Sequence, residues 1–299
     1  MTRSYKTTCP NPSCNGDNFY VTPDNGMGYC FNCRYTEKDN TAPYSKVRKR
    51  SDNIGEIRQY YTEMAEYYHS MLDTHARNFL YGRGYTDQTI QSLKIGYIPN
   101  GTHPIYRNPI AIEAGLANKR YEAFLGNRIA FPYFKDAKTV TDIRARSLIP
   151  HDEIKYKSPF NDAYYRGAIY PYNYHLTNKA KRILLTEGEI KAGIAVQANF
   201  PTIGLPGILA WRDGLIQEDD QEYVIVFDNE TKPNIQRDVI SAIRKVSLHL
   251  LNVKVAVLPI FDGGKAEIDT FINKFGASLF GNIIDNALDY DTWNSLQMF

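Results

Sequence analysis

Two short apolar runs, each ending abruptly in carboxylates, dominate the hydrophobic pattern of the C-terminal part of the chain. ILLTEGE (183–189) sets Ile183, Leu184 and Leu185 ahead of Glu187. VIVFDNE (224–230) sets Val224, Ile225, Val226 and Phe227 ahead of Asp228 and Glu230. Continuous apolar runs of strand length, alternating with helical patterns, predict buried parallel strands with helices on both faces. Between and after them, IKAGIAVQANF predicts a short helix, TIGL a strand, NIQRDVISAIRKVSLHLLN an amphipathic helix and KVAVLPIFD a further strand. AEIDTFINKFG then predicts a helix opened by Glu267 and Asp269. In open α/β sheets chemistry sits beyond the carboxyl ends of the strands. Three acidic groups fall there: Glu187, Asp228 with Glu230, and Glu267 with Asp269. Carboxylates gathered at one edge repel each other, and a hard divalent cation with oxygen ligands relieves that repulsion. The i, i+2 spacing puts both acids of a pair on one side where the backbone stays extended.

Upstream the pattern changes. Residues 54–81 carry helical spacing, with Ile57, Tyr60, Tyr61, Met64, Tyr68, Met71 and Leu72 largely on one face, and a break near 72–74. A second helix runs from about Thr74 to Gly82/Gly84, and Thr86 caps a third that leads into the strand-like IGYIP. Two arms rich in β-formers follow, NRIAFPYF (127–134) and TVTDIRARSLI (139–149), joined by the turn-like KDAK. Arg144 and Arg146 alternate with apolar residues in the second arm, so both project from one sheet face. Arg128, Arg144, Arg146, Lys155, Lys157 and Arg166 are interleaved with tyrosines. That mixture suits a groove that tracks a single-stranded backbone and stacks its bases. Taken one at a time, each is equally a solvated strand charge.

All four cysteines lie near the N-terminus: Cys9 and Cys14, then Cys30 and Cys33. The pairs CPNPSC and CFNC have the spacing of a zinc ribbon, and FYVTPDNGMGY between them reads as a hairpin turning at Asn25-Gly26. Such a hairpin brings two thiolate pairs into one closed, structural tetrahedron. A module this small has little apolar core, so its folding energy comes from the metal. TAPYSKVRKRSDN (41–53) reads as a basic linker.

Charge sharpens this division. The net charge is only +2, yet residues 101–182 carry 14 Lys/Arg against 7 Asp/Glu, and residues 183–299 carry 9 against 16. A basic middle joined to an acidic end fits a polyanion gripped on one side and metal ions held on the other. No run approaches the ~18 apolar residues of a membrane span, and MTRSYKTTCP lacks a signal-peptide core. The expected setting is the reducing cytoplasm of a bacterium or a phage-infected host, with no membrane partner.

In that order of modules the chain resembles the bacterial and phage primases of the TOPRIM type. NFLYGRGYTDQTIQSLKIGYIP looks like the start of the primase polymerase domain, and NRIAFPYF looks like its Arg-x-x-Phe-Pro strand. RARSLIPHDEIKYKSPFNDAYYRGAIYPY is similar to the family's Lys-Tyr-x-x-Ser-Pro segment, and TEGEIKAG, GLPG and FDNE resemble a TOPRIM variant of phage and mobile-element replication proteins. The cysteine pattern is closer to the phage primase-helicase ribbon than to the bacterial form with a His ligand. The resemblance implies an α/β fold: a TOPRIM-like parallel-sheet domain (181–285) with a tail (286–299), preceded by a four-cysteine zinc ribbon (1–45), a basic linker (46–55) and a basic mixed α+β subdomain of the polymerase core (56–180).

Carried over residue by residue, it implies Glu187 as acid/base or metal-linked carboxylate. Asp228 and Glu230 become Mg²⁺ or Mn²⁺ ligands, with Asp269 and Glu267 completing a site for two ions. Arg128, Arg144, Arg146, Lys155, Lys157 and Arg166 would hold template and nucleotide phosphates, and Cys9, Cys14, Cys30 and Cys33 one structural zinc. Two departures stand out: the family's Asp-x-Asp is Asp-x-Glu here, and its Lys-Gly step carries Arg166. The implied activity is DNA replication chemistry, the synthesis of short RNA primers on single-stranded DNA from ribonucleoside triphosphates, beside a helicase supplied by another chain. No Gly-x-x-x-x-Gly-Lys-Ser/Thr loop is present. The alternatives are a metal-dependent TOPRIM nuclease and a non-catalytic single-stranded-DNA-binding or recombination-mediator protein. Any catalytic reading requires Glu187 and Asp228 to share one ion's surroundings, well inside ~10 Å at oxygen–metal distances of ~2.1 Å.

Overall fold

The computed structural model describes residues 5–9, 11, 14, 19–22, 27–30, 36–38, 49–50, 53–149, 152–159, 164–165, 170–207, 216, 221–261 and 263–297. The chain divides into two units, Met1–Arg50 with Asp162–Tyr165, and Ser51–Asn161 with Arg166–Phe299.

The smaller unit is a four-stranded antiparallel meander of β1 (Tyr5–Thr7), β2 (Phe19–Thr22), β3 (Met27–Cys30) and β4 (Thr36–Lys38). Thr22 pairs with Met27 and Phe19 with Cys30, so β2 and β3 form the expected hairpin. The Asn25-Gly26 turn itself lies outside the described residues. A short β5 (Lys49–Arg50) pairs in parallel with β10 (Tyr164–Tyr165).

In the larger unit the expected helical run becomes α1 (Ile54–Ser70) and α2 (Thr74–Gly82), with the break where Asp73 caps α2 by accepting the Ala76 N–H. Thr86 likewise caps α3 (Asp87–Ser92). The buried face of α1, with Ile57, Tyr61, Met64 and Tyr68, lies on an antiparallel sheet in the order β6-β7-β8-β9 (Gly96–Ile98, Arg128–Phe134, Val140–Ser147, Tyr156–Lys157). The approach is close: a Cβ on Gly96 would stand 2.5 Å from the Tyr68 carbonyl carbon. Two of the buried tyrosines on α1 have partners, Tyr61 donating to the Ala114 carbonyl at 2.6 Å and Tyr68 bonding Tyr106 at 2.8 Å. The short α4 (Pro109–Glu113) closes this layer.

The C-terminal half builds a five-stranded sheet in the order β12-β11-β13-β14-β15, from β11 (Arg182–Glu187), β12 (Thr202–Leu205), β13 (Glu222–Ile225), β14 (Val253–Val255) and β15 (Leu288–Asp289). All pairings are parallel except that of β15. The pleat sends Ile183, Leu185 and Ile225 into one apolar cluster and Leu184 and Val224 into the other, so both sheet faces are covered. Helices α5 (Glu189–Gln197), α6 (Pro233–Ser247) and α7 (Ile268–Asp285) supply the cover. Residues 286–297, set apart by sequence as a tail, continue this sheet: Asp289 pairs with Lys254, and α8 (Tyr290–Leu296) buries Trp293 against it. Among the described residues no helix is long and apolar enough to cross a membrane.

Candidate active site

The parallel register puts Leu185 opposite Ile225, so neighbouring strands β11 and β13 deliver Glu187 and Asp228 to the same carboxyl edge. Asp228 is 3% exposed. Its two oxygens meet two different ammonium groups. Lys191 Nζ stands 2.7 Å from Asp228 Oδ1 and 3.2 Å from Glu187 Oε1, whereas Lys265 Nζ stands 3.2 Å from Asp228 Oδ2, 2.8 Å from Glu267 Oε1 and 3.8 Å from Glu230 Oε1. Glu187 and Asp228 thus share the Lys191 ammonium between them. Burial, with the Asp228 charge beside it, pushes the Glu187 carboxyl up to about 7 despite Lys191. Burial works the same way on Asp228, but Lys191, Glu187 and Lys265 outweigh it and hold that acid below its usual range. Both lysines are held more firmly protonated by these carboxylates, against the effect of burial.

The extended i, i+2 geometry holds for Asp228 and Glu230, which both face Lys265. It does not hold for Glu267 and Asp269. Glu267 is extended, at φ −118°, but α7 begins at the next residue, and the helical turn carries Asp269 away to an ion pair with Arg83. Asp269 is buried, which raises its carboxyl, and its Oδ1 has no hydrogen-bond partner among the described residues.

Facing the acids across an open cleft of about 300 Å³ stands a basic wall that includes Arg83, Arg144, Arg146 and Lys155. Arg144 and Arg146 do project from one face of β8. Arg146 lies 5.0 Å from the Phe79 ring centre and 5.6 Å from that of Tyr156, with no carboxylate partner among the described residues. Arg144 lies over Tyr156 at 4.8 Å and donates to Glu189 Oε1 at 3.0 Å. Burial and the neighbouring Arg146 push the Lys155 ammonium down. Arg128 and Lys157 are turned to other work: Arg128 binds Asp152 at 2.8 Å, and Lys157 donates to the Phe124 carbonyl at 2.9 Å while covering its ring. Arg166 lies outside the described residues.

Four participants escaped the sequence reading. Lys191 and Lys265 neutralise the acids, and Arg83 holds Asp269. Glu189, fully buried at the start of α5, accepts from Tyr133 at 2.5 Å and from Arg144, which ties the basic sheet to the acidic one. The Lys191 signal was present: it lies four residues after Glu187, across a glycine that starts a helix.

The donor chemistry is that of a hard cation, since Glu187, Asp228, Glu230 and Glu267 offer oxygen only. In this structure, however, they are gathered around two ammonium groups, and among the described residues only the cysteines bring three ligand atoms within 4.8 Å of one another. In the smaller unit Cys9, Cys14 and Cys30 bring their sulfurs within 4.8 Å of one another, with Cys14 and Cys30 at 3.8 Å. Tetrahedral Zn–S bonds of ~2.3 Å set sulfurs ~3.8 Å apart, so these three thiols could hold a metal ion. Cys33 lies outside the described residues.

Residues 172–279 match a family described as a domain of unknown function, DUF3854. The DNA primase of Staphylococcus aureus is 22% identical over an alignment of 339 positions, which covers 95% of this chain and 55% of that protein. The RNA polymerase domain of Mycobacterium tuberculosis primase DnaG superposes with a TM-score of 0.65 at 17% identity, covering 80% of this chain and 86% of that one. The chain has the fold of bacterial primase catalytic cores. The likeness reaches the cysteine-bearing unit as well: the zinc-binding and RNA polymerase domains of Aquifex aeolicus primase match 96% of this chain and 79% of theirs, at a TM-score of 0.58 and 14% identity. The chain thus spans about half the length of the Staphylococcus aureus primase.

Proposed function

We propose that this chain is a DNA primase core that joins ribonucleotides into short primers on a single-stranded DNA template. The observation that carries the reading is the pairing of Glu187 and Asp228 on adjacent strand ends, opposite the Arg146 and Lys155 wall of the same cleft. Asp228, Glu230 and Glu267 would hold Mg²⁺ or Mn²⁺, with Glu187 beside them as the acid/base or metal-linked carboxylate. The ion, when bound, would lower the pKa of an attacking hydroxyl and offset charge on the leaving pyrophosphate. The protein's own part is positioning. Arg146, held against the Phe79 and Tyr156 rings and without a carboxylate partner among the described residues, keeps its guanidinium N–H groups for phosphate oxygens. Glu189 and Tyr133 fix Arg144, so the phosphate-facing wall keeps its distance from the carboxylates.

We read the division of labour as a four-cysteine zinc ribbon (1–45), a basic linker (46–55), a basic polymerase subdomain (56–180) and a TOPRIM sheet that begins at 181 and, through β15 and α8, takes in the expected tail. Cys9, Cys14, Cys30 and Cys33 are assigned one structural zinc. Asp269 is assigned to holding Arg83 in the cleft wall and Arg166 to the template path, while Arg128 and Lys157, engaged by Asp152 and Phe124, are given no part in it. A helicase from another chain remains the expected partner. The test is incubation with single-stranded DNA, labelled ribonucleoside triphosphates and Mg²⁺. Oligoribonucleotides made by wild type and lost in Asp228→Asn support the reading. Shortened DNA would indicate a nuclease, and a mobility shift without product a binding protein; either overturns it.

A further inference from the structure

The two lysines at the carboxylate cluster are not equivalent. Lys191 belongs to the frame. Gly188, at φ +80°, lets α5 start directly after β11, so Lys191 returns one turn later over the strand tip and over Glu187. Its helix is pinned on both sides: a Cβ on Gly204 of β12 would meet the Gly188 carbonyl at 2.9 Å, and one on Gly193 would meet the Tyr85 hydroxyl at 2.1 Å. The Lys191 side chain is 12% exposed and bridges Glu187 Oε1 and Asp228 Oδ1. Lys265, by contrast, is 42% exposed and follows Gly263-Gly264, where open space surrounds both Cβ positions. Lys265 has room to leave the cluster, whereas Lys191 is little exposed and held close to two carboxylates.

We propose that Lys191 is a resident cation that permanently fills the position between Glu187 and Asp228, so that the cluster takes one divalent ion rather than two. That ion displaces Lys265 and binds Asp228 Oδ2, Glu230 and Glu267. The inference rests on the metal-dependent reading above. An ion at ~2.1 Å from Asp228 Oδ1 and a Glu187 oxygen would lie on the space now held by the Lys191 ammonium, 2.7 Å from the same oxygen. The other oxygen of Asp228 faces the more exposed lysine. The fixed positive charge also lowers the demand for a second ion, since it already offsets one of four clustered carboxylates.

The experiment counts tightly bound Mn²⁺ on the full zinc-loaded chain, by titration calorimetry and by the electron paramagnetic resonance signal of free Mn²⁺. Asp228→Asn serves as the blank, and thermal melting verifies that each variant is folded. Wild type should bind one Mn²⁺ that Asp228→Asn loses. Lys191→Met, which keeps the apolar stem and removes the ammonium group, should bind two; Lys191→Arg should bind one. Lys265→Ala should still bind one, several-fold more tightly. Two Mn²⁺ in wild type, or an unchanged count of one in folded Lys191→Met, overturns the proposal and leaves the metal-dependent reading standing. No Mn²⁺ above the Asp228→Asn blank removes that reading, and this proposal with it.

Discussion

At the scale of single residues, the decisive feature is a pair of acids driven apart in proton affinity by one environment. Glu187 is raised from 4.5 to about 7 while Asp228, in contact with Lys191 and Lys265, is held low. The folded protein therefore prefers Glu187 protonated. The stability this gives is fully present below about pH 4.5 and is lost as pH rises through about 7. Asp228 runs the other way, its contribution being lost only as pH falls below its ordinary 3.8. His175, whose imidazole burial pushes down to about 4, gains stability over the same window, so the test is the difference between wild type and Glu187→Gln. Without added magnesium, the stability of wild type relative to Glu187→Gln in thermal melting should decline between pH 4.5 and 7 on the order of a few kcal/mol, and a difference that stays constant with pH would contradict the assignment. On the opposite wall, Arg146 has no acid to lose among the described residues, so Arg146→Ala should leave the melting temperature nearly unchanged. It should weaken single-stranded DNA binding and reduce the slope of log affinity against log salt by about 0.7, the contribution of one phosphate contact.

At the scale of elements, α5 sets the geometry. It begins at a glycine, carries Lys191 back over Glu187, and presses on both Tyr85 and β12. Gly193→Ala would drive a methyl group into the buried Tyr85 hydroxyl and should cost about 1–3 kcal/mol in urea unfolding. Replacing Tyr85 by Phe in that background should recover part of it. The strands were legible in the sequence because an apolar run that stops at an acid fits little besides a buried strand reaching the sheet edge. Thr86 and the two arms of the basic sheet could be read for similar local reasons. The partners of the acids were not legible. A lysine on a helix is an ordinary surface residue until the turn before it fixes its direction, and the split of Glu267 from Asp269 depends on the residue at which α7 starts. The last strand and α8 were hidden because LD and a short polar helix carry almost no pattern. Their place is set by pairing with β14 and by the burial of Trp293. Trp293→Ala should therefore cost about 3–5 kcal/mol in the same unfolding measurement.

At the scale of the whole molecule, two chemistries are kept in separate units. One gathers three thiol sulfurs within 4.8 Å, and the other opposes carboxylates to arginines across one cleft. Removing zinc with a chelator should abolish ordered structure in the smaller unit, read as loss of its amide dispersion by NMR, while the five-stranded sheet of the larger unit keeps its melting transition. The central claim concerns that sheet edge, and formation of the first phosphodiester bond tests it most directly. With single-stranded DNA, ribonucleoside triphosphates and Mg²⁺, wild type should yield labelled dinucleotide. Asp228→Asn and Glu187→Gln, both folded, should lose on the order of 10²-fold or more of that rate. Dinucleotide made at the wild-type rate by either variant would contradict the account.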